Sequence, residues 1–155
     1  MNRLLIVGTV AFDSIETPDT RVDKVLGGAA THISISASLF NINSAVISIV
    51  GGDFPTKYFE IFKRRNIDIS SLKIEKNGKT FYWIGKYAKN MNQRDTLKTE
   101  VNVLENFDPV VPENFTSPNV LVLGNLDPRV QLKVMSQIIP PPKITILDTM
   151  NFWMD

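Results

Sequence analysis

Four short and largely apolar runs restrict the fold of this chain more than any other feature of its sequence. They cover residues 4–7, 45–50, 120–123 and 144–147. Runs of this length are typical of strands buried on both faces of a parallel sheet. Segments with helical spacing follow the first three runs, at residues 28–40, 53–65 and 127–139. This alternation predicts right-handed crossovers and an α/β fold, a largely parallel sheet flanked by helices.

The helical segments differ in how clearly they are marked. The first is ambiguous, because Ile33-Ser34-Ile35-Ser36 alternates like a strand while the small residues and the length favour a packed helix. We interpret it as a helix. In the second, Asp53 can cap a helix that has Pro55 in its first turn. The third opens at Asp127-Pro128, and the prolines at 140–142 end it.

Residues 71–103 follow a different pattern. Leu72 and Ile74 alternate with polar residues, and Asn77-Gly78 is typical of a hairpin turn. Residues 79–87 are rich in aromatic and β-branched side chains, and alternation returns over 97–103. This pattern predicts a small antiparallel β insertion at 71–103. We expect residues 1–155 to belong to one α/β domain and to form part of it.

Composition excludes several classes of function. Seventeen Lys and Arg residues against sixteen Asp and Glu residues leave a net charge of +1, so no overall field attracts nucleic acid or an anionic membrane. Cysteine is absent and histidine occurs once, which excludes disulfides and a histidine-based zinc site. No apolar run approaches the roughly 18 residues of a membrane span, and no signal-peptide core follows the first Met. We therefore expect a cytoplasmic protein, in which carboxylates and phosphates could still hold Mg²⁺.

The last residues of the sequence lie where a ligand site is expected. In open α/β sheets such sites lie beyond the carboxyl ends of the strands, and residues 148–155 follow the fourth strand. Large apolar side chains stand there, at 152–154, with little sequence left to bury them. We expect the carboxyl-terminal half of the domain to be absent; the alternative is a frayed natural tail.

Two glycine-containing segments and one aspartate are candidates for ligand binding. Gly78-Lys79-Thr80 resembles the end of a phosphate-binding P-loop, but Lys73 stands where that loop needs glycine, and we reject it. Gly27-Gly28 precedes the first helix, where the backbone can approach a ligand and offer unpaired N–H groups. A tight turn without a ligand is an equal alternative. Asp13 could bind hydroxyl groups, although a lone loop aspartate is more often a turn residue.

In combination these features resemble the ribokinase-like (pfkB) carbohydrate kinase family. The resemblance covers essentially the whole chain and rests on the first strand, Gly8, Asp13, Gly27-Gly28 with Ala29-Ala30-Thr31-His32, and Gly51-Gly52-Asp53 after the next strand. It implies that Asp13 binds acceptor hydroxyls, that Gly27 and Gly28 contact the acceptor and hinge a lid, and that the β insertion is this lid. His32 stands where the family usually has asparagine, and its hydrogen bond would differ in geometry and pH dependence. A packed core histidine is the equal alternative.

The resemblance also implies where later residues lie relative to the ligands. Phe81 and Trp83 of the lid could face the ligand, although lid core or a dimer interface is the commoner place for such aromatic side chains. Asn125 and Asp127 are expected to line the far wall of the acceptor site. The segment with Asp148 and Asn151 is expected to lie toward the nucleotide phosphates.

The implied reaction is transfer of the γ-phosphoryl group of ATP, with Mg²⁺, to a hydroxyl of a sugar, a sugar-like alcohol or a nucleoside. In this family the catalytic G-A-G-D loop belongs to the carboxyl-terminal half. All eight glycines lie at or before Gly124, so we assign no catalytic and no metal-binding residue and expect this chain to be inactive alone. The alternatives are a non-catalytic product that binds sugar or forms homodimers through the lid, and an unrelated α/β nucleotide-binding protein.

Overall fold

A computed structural model describes residues 4–154. The strands are β1 Leu4–Val7, β2 Ala11–Glu16, β3 Arg21–Gly27, β4 Ser44–Gly51, β5 Asp68–Glu75, β6 Tyr82–Tyr87, β7 Arg94–Glu100, β8 Val120–Leu123 and β9 Ile144–Leu147. The helices are α1 Ala29–Leu39, α2 Thr56–Arg64, α3 Pro128–Ser136 and α4 Asn151–Met154, with 3₁₀ turns at Asn102–Asn106 and Glu113–Phe115. No helix within residues 4–154 is long and apolar enough to cross a membrane.

The main sheet is parallel throughout, as the sequence predicts. Its strands follow the order β5-β4-β1-β8-β9, and each neighbouring pair is parallel. All eight residues of β4 are buried, which explains why its sequence is almost continuously apolar. The first helical segment is a helix, α1, so the strand-like alternation at 33–36 does not decide its structure.

Two layers of side chains pack on opposite faces of this sheet. Alternate residues of β1 and β4 divide between them, because successive strand residues point to opposite faces. One cluster contains Leu5, Val7, Ile47, Leu121, Leu123 and, from α3, Val134. The other contains Ile6, Val46, Val50, Ala30 of α1 and Phe62 of α2. Phe62 has no exposed surface, a degree of burial that stabilises the fold by about 1.5–3 kcal/mol.

The predicted cap of α2 is wrong. Pro55 is the N-cap residue, and no side chain bonds the helix there. The Asp53 carboxylate instead accepts hydrogen bonds from Thr80 N at 2.8 Å and Thr80 Oγ1 at 2.7 Å. Thr80 Oγ1 also accepts a bond of 3.0 Å from Gly51 N. Asp53 therefore ties the turn after β4 to the segment that leads into β6.

The boundaries predicted for the β insertion, 71–103, also need correction. Residues 68–75 form β5 at the edge of the main sheet, where Leu72 is buried and Ile74 is 49% exposed. Asn77-Gly78 is therefore no hairpin turn but part of the connection between two sheets. The second sheet has the order β3-β2-β6-β7: two antiparallel pairs joined by the parallel pair of β2 and β6. Half of its strands thus come from residues before 28.

The strand β9 forms where the sequence places it, but it is not buried. Ile144, Ile146 and Leu147 are 55%, 50% and 53% exposed. This strand pairs only with β8 among the described residues, so one of its edges has no neighbouring strand. Its apolar composition is that of an interior strand, whereas its position is that of an edge strand.

Candidate functional site

The start of α1 packs on the carboxyl ends of β1 and β8. Gly8 and Gly124, which follow these strands, allow this approach: a Cβ on Gly8 would lie 3.2 Å from Ala30 N, and one on Gly124 would lie 3.2 Å from Ala29 Cβ. Thr9 supplies the cap that Gly28 cannot, because its Oγ1 accepts from Ala29 N and its carbonyl from Ala30 N, each at 2.9 Å. These two N–H groups, which the sequence suggested for ligand binding, are therefore already paired.

Asp13 and the double glycine form one compact unit. Asp13 lies on β2 opposite Val25 of β3, and its carboxylate lies against the backbone of Gly27. A Cβ on Gly27 would be only 2.0 Å from Asp13 Oδ2, so any side chain there would displace the carboxylate. The backbone N–H of Gly28 donates a hydrogen bond to the same carboxylate. Gly28 requires glycine for two other reasons. Its φ is +94°, and a Cβ on it would lie 2.4 Å from Thr9 O.

The side chain of Asp13 is half-buried. Burial raises the pKa of Asp13, while the charge of the nearby His32 and the Gly28 N–H act in the opposite direction. His32 lies in the first turn of α1 and its side chain is exposed, so the alternative of a packed core histidine is wrong. The structure thus brings together four residues singled out from the sequence: Asp13, Gly27, Gly28 and His32.

The second sheet extends directly from this unit. Trp83 of β6 is the register partner of Asp13, so both side chains project from the same face of the sheet. Phe81 precedes β6, is half-buried, and accepts a bond of 2.9 Å from Phe12 N through its carbonyl. Of the two aromatic residues predicted to face a ligand, Trp83 is therefore the one paired with Asp13.

The residues expected at the far wall have protein partners. Asn125 Oδ1 accepts a bond of 2.9 Å from Trp153 Nε1. Asp127 caps α3 by accepting from Arg129 N at 2.8 Å, and it forms an ion pair with the Arg129 guanidinium. The side-chain hydrogen bond from Arg129 lowers the pKa of Asp127. Asp127 therefore has a structural role at the start of the helix, which the sequence had also indicated.

Gln131 joins two strand ends near these residues and was missed in the sequence. It is buried, and its Nε2 donates to Gly124 O at 2.9 Å and to Asp148 O at 3.0 Å. Asp148 is held at the end of β9 through its backbone, and its side chain is exposed. Asn151, the other residue expected on the phosphate side, has a side chain outside the described part. The sequence did contain a signal for Gln131: it is a polar residue on the apolar side of the predicted helix at 127–139.

No group of three or more His, Asp or Glu side chains within residues 4–154 is arranged to hold a metal ion.

Known proteins share both the fold and parts of the sequence. The structure of the Methanocaldococcus jannaschii nucleoside kinase, an archaeal member of the ribokinase family, matches with a TM-score of 0.74 and 21% identity. The match covers 94% of this chain and 52% of that one. This chain has the ribokinase-like fold. The resemblance inferred from Asp13, the double glycine and the later turn is thereby confirmed, although no protein-family model matches the sequence.

Two kinases are also similar to this chain in sequence. A cytidine kinase of Thermococcus kodakarensis is 26% identical over 136 residues, which cover 87% of this chain and 48% of that protein. A nucleoside kinase of Methanothermobacter thermautotrophicus is 35% identical over 81 residues, 44% of this chain and 26% of that protein. The chain thus spans about half the length of the first of these relatives.

Proposed function

We propose that this chain is the acceptor-binding part of a kinase that transfers the γ-phosphoryl group of ATP, with Mg²⁺, to a hydroxyl of a nucleoside. The observation that carries the proposal is the Asp13 carboxylate, fixed against Gly27 and bonded by the Gly28 N–H at the start of α1. Proteins similar to this chain bear the names cytidine kinase and nucleoside kinase, which favours a nucleoside over a free sugar.

The chemistry of the unit suits a polyol. A carboxylate can accept hydrogen bonds from two hydroxyl groups at once. Hydrogen bonds to a charged carboxylate are shorter and stronger than hydrogen bonds between neutral groups. Burial strengthens them further, because fewer water molecules compete for the carboxylate. The exposed imidazole of His32 can give or accept one more bond beside it. The second sheet, which holds Asp13 on β2 and Trp83 on β6, closes over the acceptor as a lid, with Gly27-Gly28 at its junction with α1.

This proposal assigns no catalytic residue to the chain. Binding and orientation of the acceptor lie with Asp13 and its neighbours, whereas ATP and Mg²⁺ are expected to bind residues that correspond to the other half of the relatives. The chain alone is therefore expected to bind acceptor without phosphorylating it. ATP-dependent phosphorylation of cytidine by the purified chain, above a no-protein control, would contradict this part of the proposal.

The binding part is tested by isothermal titration calorimetry with cytidine. The variant Asp13→Asn is nearly isosteric and keeps one carbonyl oxygen as an acceptor, but it removes the charge. We expect it to weaken cytidine binding about 10-fold or more, because hydrogen bonds to a charged group contribute about 1.5–3 kcal/mol. Glu105→Gln is a matched control, since Glu105 is an exposed carboxylate on the 3₁₀ turn at Asn102–Asn106. No cytidine binding by the parent chain, or equal binding by Asp13→Asn, would refute the proposed function.

We further propose that the chain can form homodimers through the lid. The strands β3 and β7 are the outer strands of the second sheet, and an edge strand offers unpaired backbone groups to another copy. Charged residues along β7, such as Lys98 and Glu100, oppose promiscuous pairing. Sedimentation equilibrium measures the outcome: a monomer–dimer equilibrium supports this proposal, and a monomer at all concentrations up to the millimolar range refutes it.

A further inference from the structure

The antiparallel pair of β2 and β3 contains a bulge next to Asp13. On the side of the double glycine, Asp13 pairs with Val25. Toward the other end of the two strands, Ile15 pairs with Val22. Two steps along β2 therefore correspond to three steps along β3, so β3 carries one extra residue between these pairs. The pair of Asp13 and Val25 is thus the last regular pair before the bulge.

The backbone of Lys24 forms this bulge. Its φ is +48°, in the left-handed region, where the Cβ of any residue other than glycine costs free energy. Bulges with a residue in this conformation usually have glycine there. Because a strained backbone persists only where its surroundings fix it, the neighbours of Lys24 are expected to hold it in place.

Three contacts hold Lys24, on both of its backbone groups and on its side chain. Its backbone N–H donates to Ser14 Oγ at 2.9 Å, and its carbonyl oxygen accepts from Tyr58 Oη at 3.1 Å. Its ammonium group stands 5.5 Å from the centroid of the Tyr82 ring, and the Tyr82 hydroxyl is bonded to Ser14 Oγ at 2.7 Å. Ser14 and Tyr58 are both buried. These hydroxyl groups therefore connect the bulge in the second sheet to α2, which packs on the main sheet.

The ring of Tyr58 is fixed independently of its hydroxyl. Its centroid lies 5.5 Å from that of the Phe54 ring and 6.3 Å from that of the Phe12 ring on β2. Because successive strand residues point to opposite faces, Phe12 and Ser14 face α2, whereas Asp13 projects from the other face. The Tyr58 hydroxyl thus adds one directed bond from α2 to β3, and its removal leaves the aromatic packing in place.

The bulge lies directly beside Asp13. Ser14 follows Asp13 in the chain, and Lys24 precedes Val25, the register partner of Asp13. The carboxylate fits closely against β3, since a Cβ on Gly27 would lie 2.0 Å from its Oδ2 atom. A displacement of β3 at the bulge would therefore move the carboxylate as well.

We propose that Tyr58 and Ser14 are positioning residues, which hold the Lys24 bulge and thereby fix the Asp13 carboxylate for the acceptor hydroxyls. This role rests on the proposed function, in which Asp13 binds those hydroxyls. Tyr58 and Ser14 do not contact the acceptor in this proposal, and their effect passes through the backbones of β2 and β3. Loss of either hydroxyl should therefore weaken recognition of the acceptor hydroxyls and change the binding of the rest of the ligand little.

The test uses calorimetry with cytidine and with 2′,3′-dideoxycytidine, which lacks two of the ribose hydroxyls. The ratio of the two dissociation constants measures recognition of these hydroxyls. Tyr58→Phe removes one hydroxyl and keeps the ring, and it should lower the preference for cytidine about 2- to 10-fold, the equivalent of one hydrogen bond. Ser14→Ala should lower it by a similar factor. A purely structural role would lower stability without changing this ratio.

Two substitutions at Lys24 separate its backbone conformation from its side chain. Lys24→Gly is the matched control: it removes the ammonium contact but keeps both backbone groups and adopts a positive φ without strain, so the ratio should stay within about 2-fold of the parent value. Lys24→Pro fixes φ near about −65° and removes the N–H, so it cannot form the bulge and should lose most of the preference. If Lys24→Pro does not fold, Tyr58→Phe and Ser14→Ala decide the question.

The outcomes separate this role from the proposed function. If the parent chain binds neither ligand, or binds both equally, the proposed function fails and the positioning role fails with it. If the parent chain prefers cytidine and either Tyr58→Phe or Ser14→Ala keeps that preference in full, the positioning role is overturned and the proposed function stands. The role is also overturned if Lys24→Gly lowers the preference as much as Tyr58→Phe does, because the side chain of Lys24 would then matter instead of its backbone.

Discussion

A single methyl group on Gly27 is expected to disrupt the acceptor site. The Cβ of alanine would lie 2.0 Å from Asp13 Oδ2 and 2.3 Å from Cγ, whereas ordinary contact begins at 3.4 Å. The carboxylate must therefore retreat by about 1.4 Å, which is enough to break its bond with the Gly28 N–H. Loss of a hydrogen bond to a charged group costs about 1.5–3 kcal/mol of stability, and acceptor affinity should fall about 10- to 150-fold.

A double-mutant cycle decides whether this effect passes through Asp13. Cytidine affinity is measured by calorimetry and the free energy of unfolding by urea titration, for the parent chain, Gly27→Ala, Asp13→Ala and the double variant. With Asp13 truncated the added methyl group meets no carboxylate. Gly27→Ala should then be neutral, or stabilise the fold by about 0.4–1 kcal/mol through the unfolded state. Equal losses of stability in both backgrounds would refute the steric argument.

Three further predictions concern charge and buried hydrogen bonds. Because burial raises the pKa of Asp13, folding favours its protonated form, and this contribution is present at acidic pH and lost as pH rises through the raised pKa. Asp13→Asn should therefore raise the melting temperature at pH 7 and have little effect below the ordinary pKa of 3.8; a lower melting temperature at pH 7 would contradict this. Thr80→Val removes the hydroxyl that donates to Asp53 and accepts from Gly51 N, while the backbone bond from residue 80 to Asp53 remains; it should cost about 1–3 kcal/mol in a urea titration, against no loss if the hydroxyl bonds contribute nothing. Gln131→Leu leaves two carbonyl groups without its amide and should cost a similar amount; an unchanged urea midpoint would show that water replaces the amide.

The parallel sheet could be predicted because its information is local. Each strand buried on both faces needs an apolar run, and each crossover helix needs its own periodic segment, so the order of elements is visible along the chain. The edge strands were harder. The strand β5 buries Leu72 but exposes Ile74, and such half-buried alternation does not say which of two sheets the strand joins.

The second sheet was predicted in part because its pairing is not local. The strand β3 has mainly exposed residues, and Lys24 interrupts it with a positive φ of 48°, so no alternation marks it. The strand β2 pairs in parallel with β6, far away in sequence, and only the folded chain reveals this partner. The sequence showed aromatic and β-branched residues at 79–87, but the hydrogen bonds that organise this sheet depend on residues before 28.

The candidate site, like the fold, could be predicted from the sequence only in part. Residue types and their order were enough to select Asp13, Gly27, Gly28 and His32, because the spacing resembles a known family. The reason for Gly27 was not visible in the sequence: glycine is required there by the carboxylate across the strand pair, not by backbone conformation. The cap supplied by Thr9 is equally invisible, since a threonine after a strand has many possible partners.

The central claim is that Asp13 recognises acceptor hydroxyls, and two ligands that differ only in those groups test it most directly. Calorimetry of cytidine and 2′,3′-dideoxycytidine, on the parent chain and on Asp13→Asn, gives four dissociation constants and one coupling free energy. The account predicts that the parent chain prefers cytidine by about 10-fold or more and that Asp13→Asn abolishes most of this preference. An equal preference for cytidine in both proteins would contradict it, because the hydroxyls would then be recognised elsewhere.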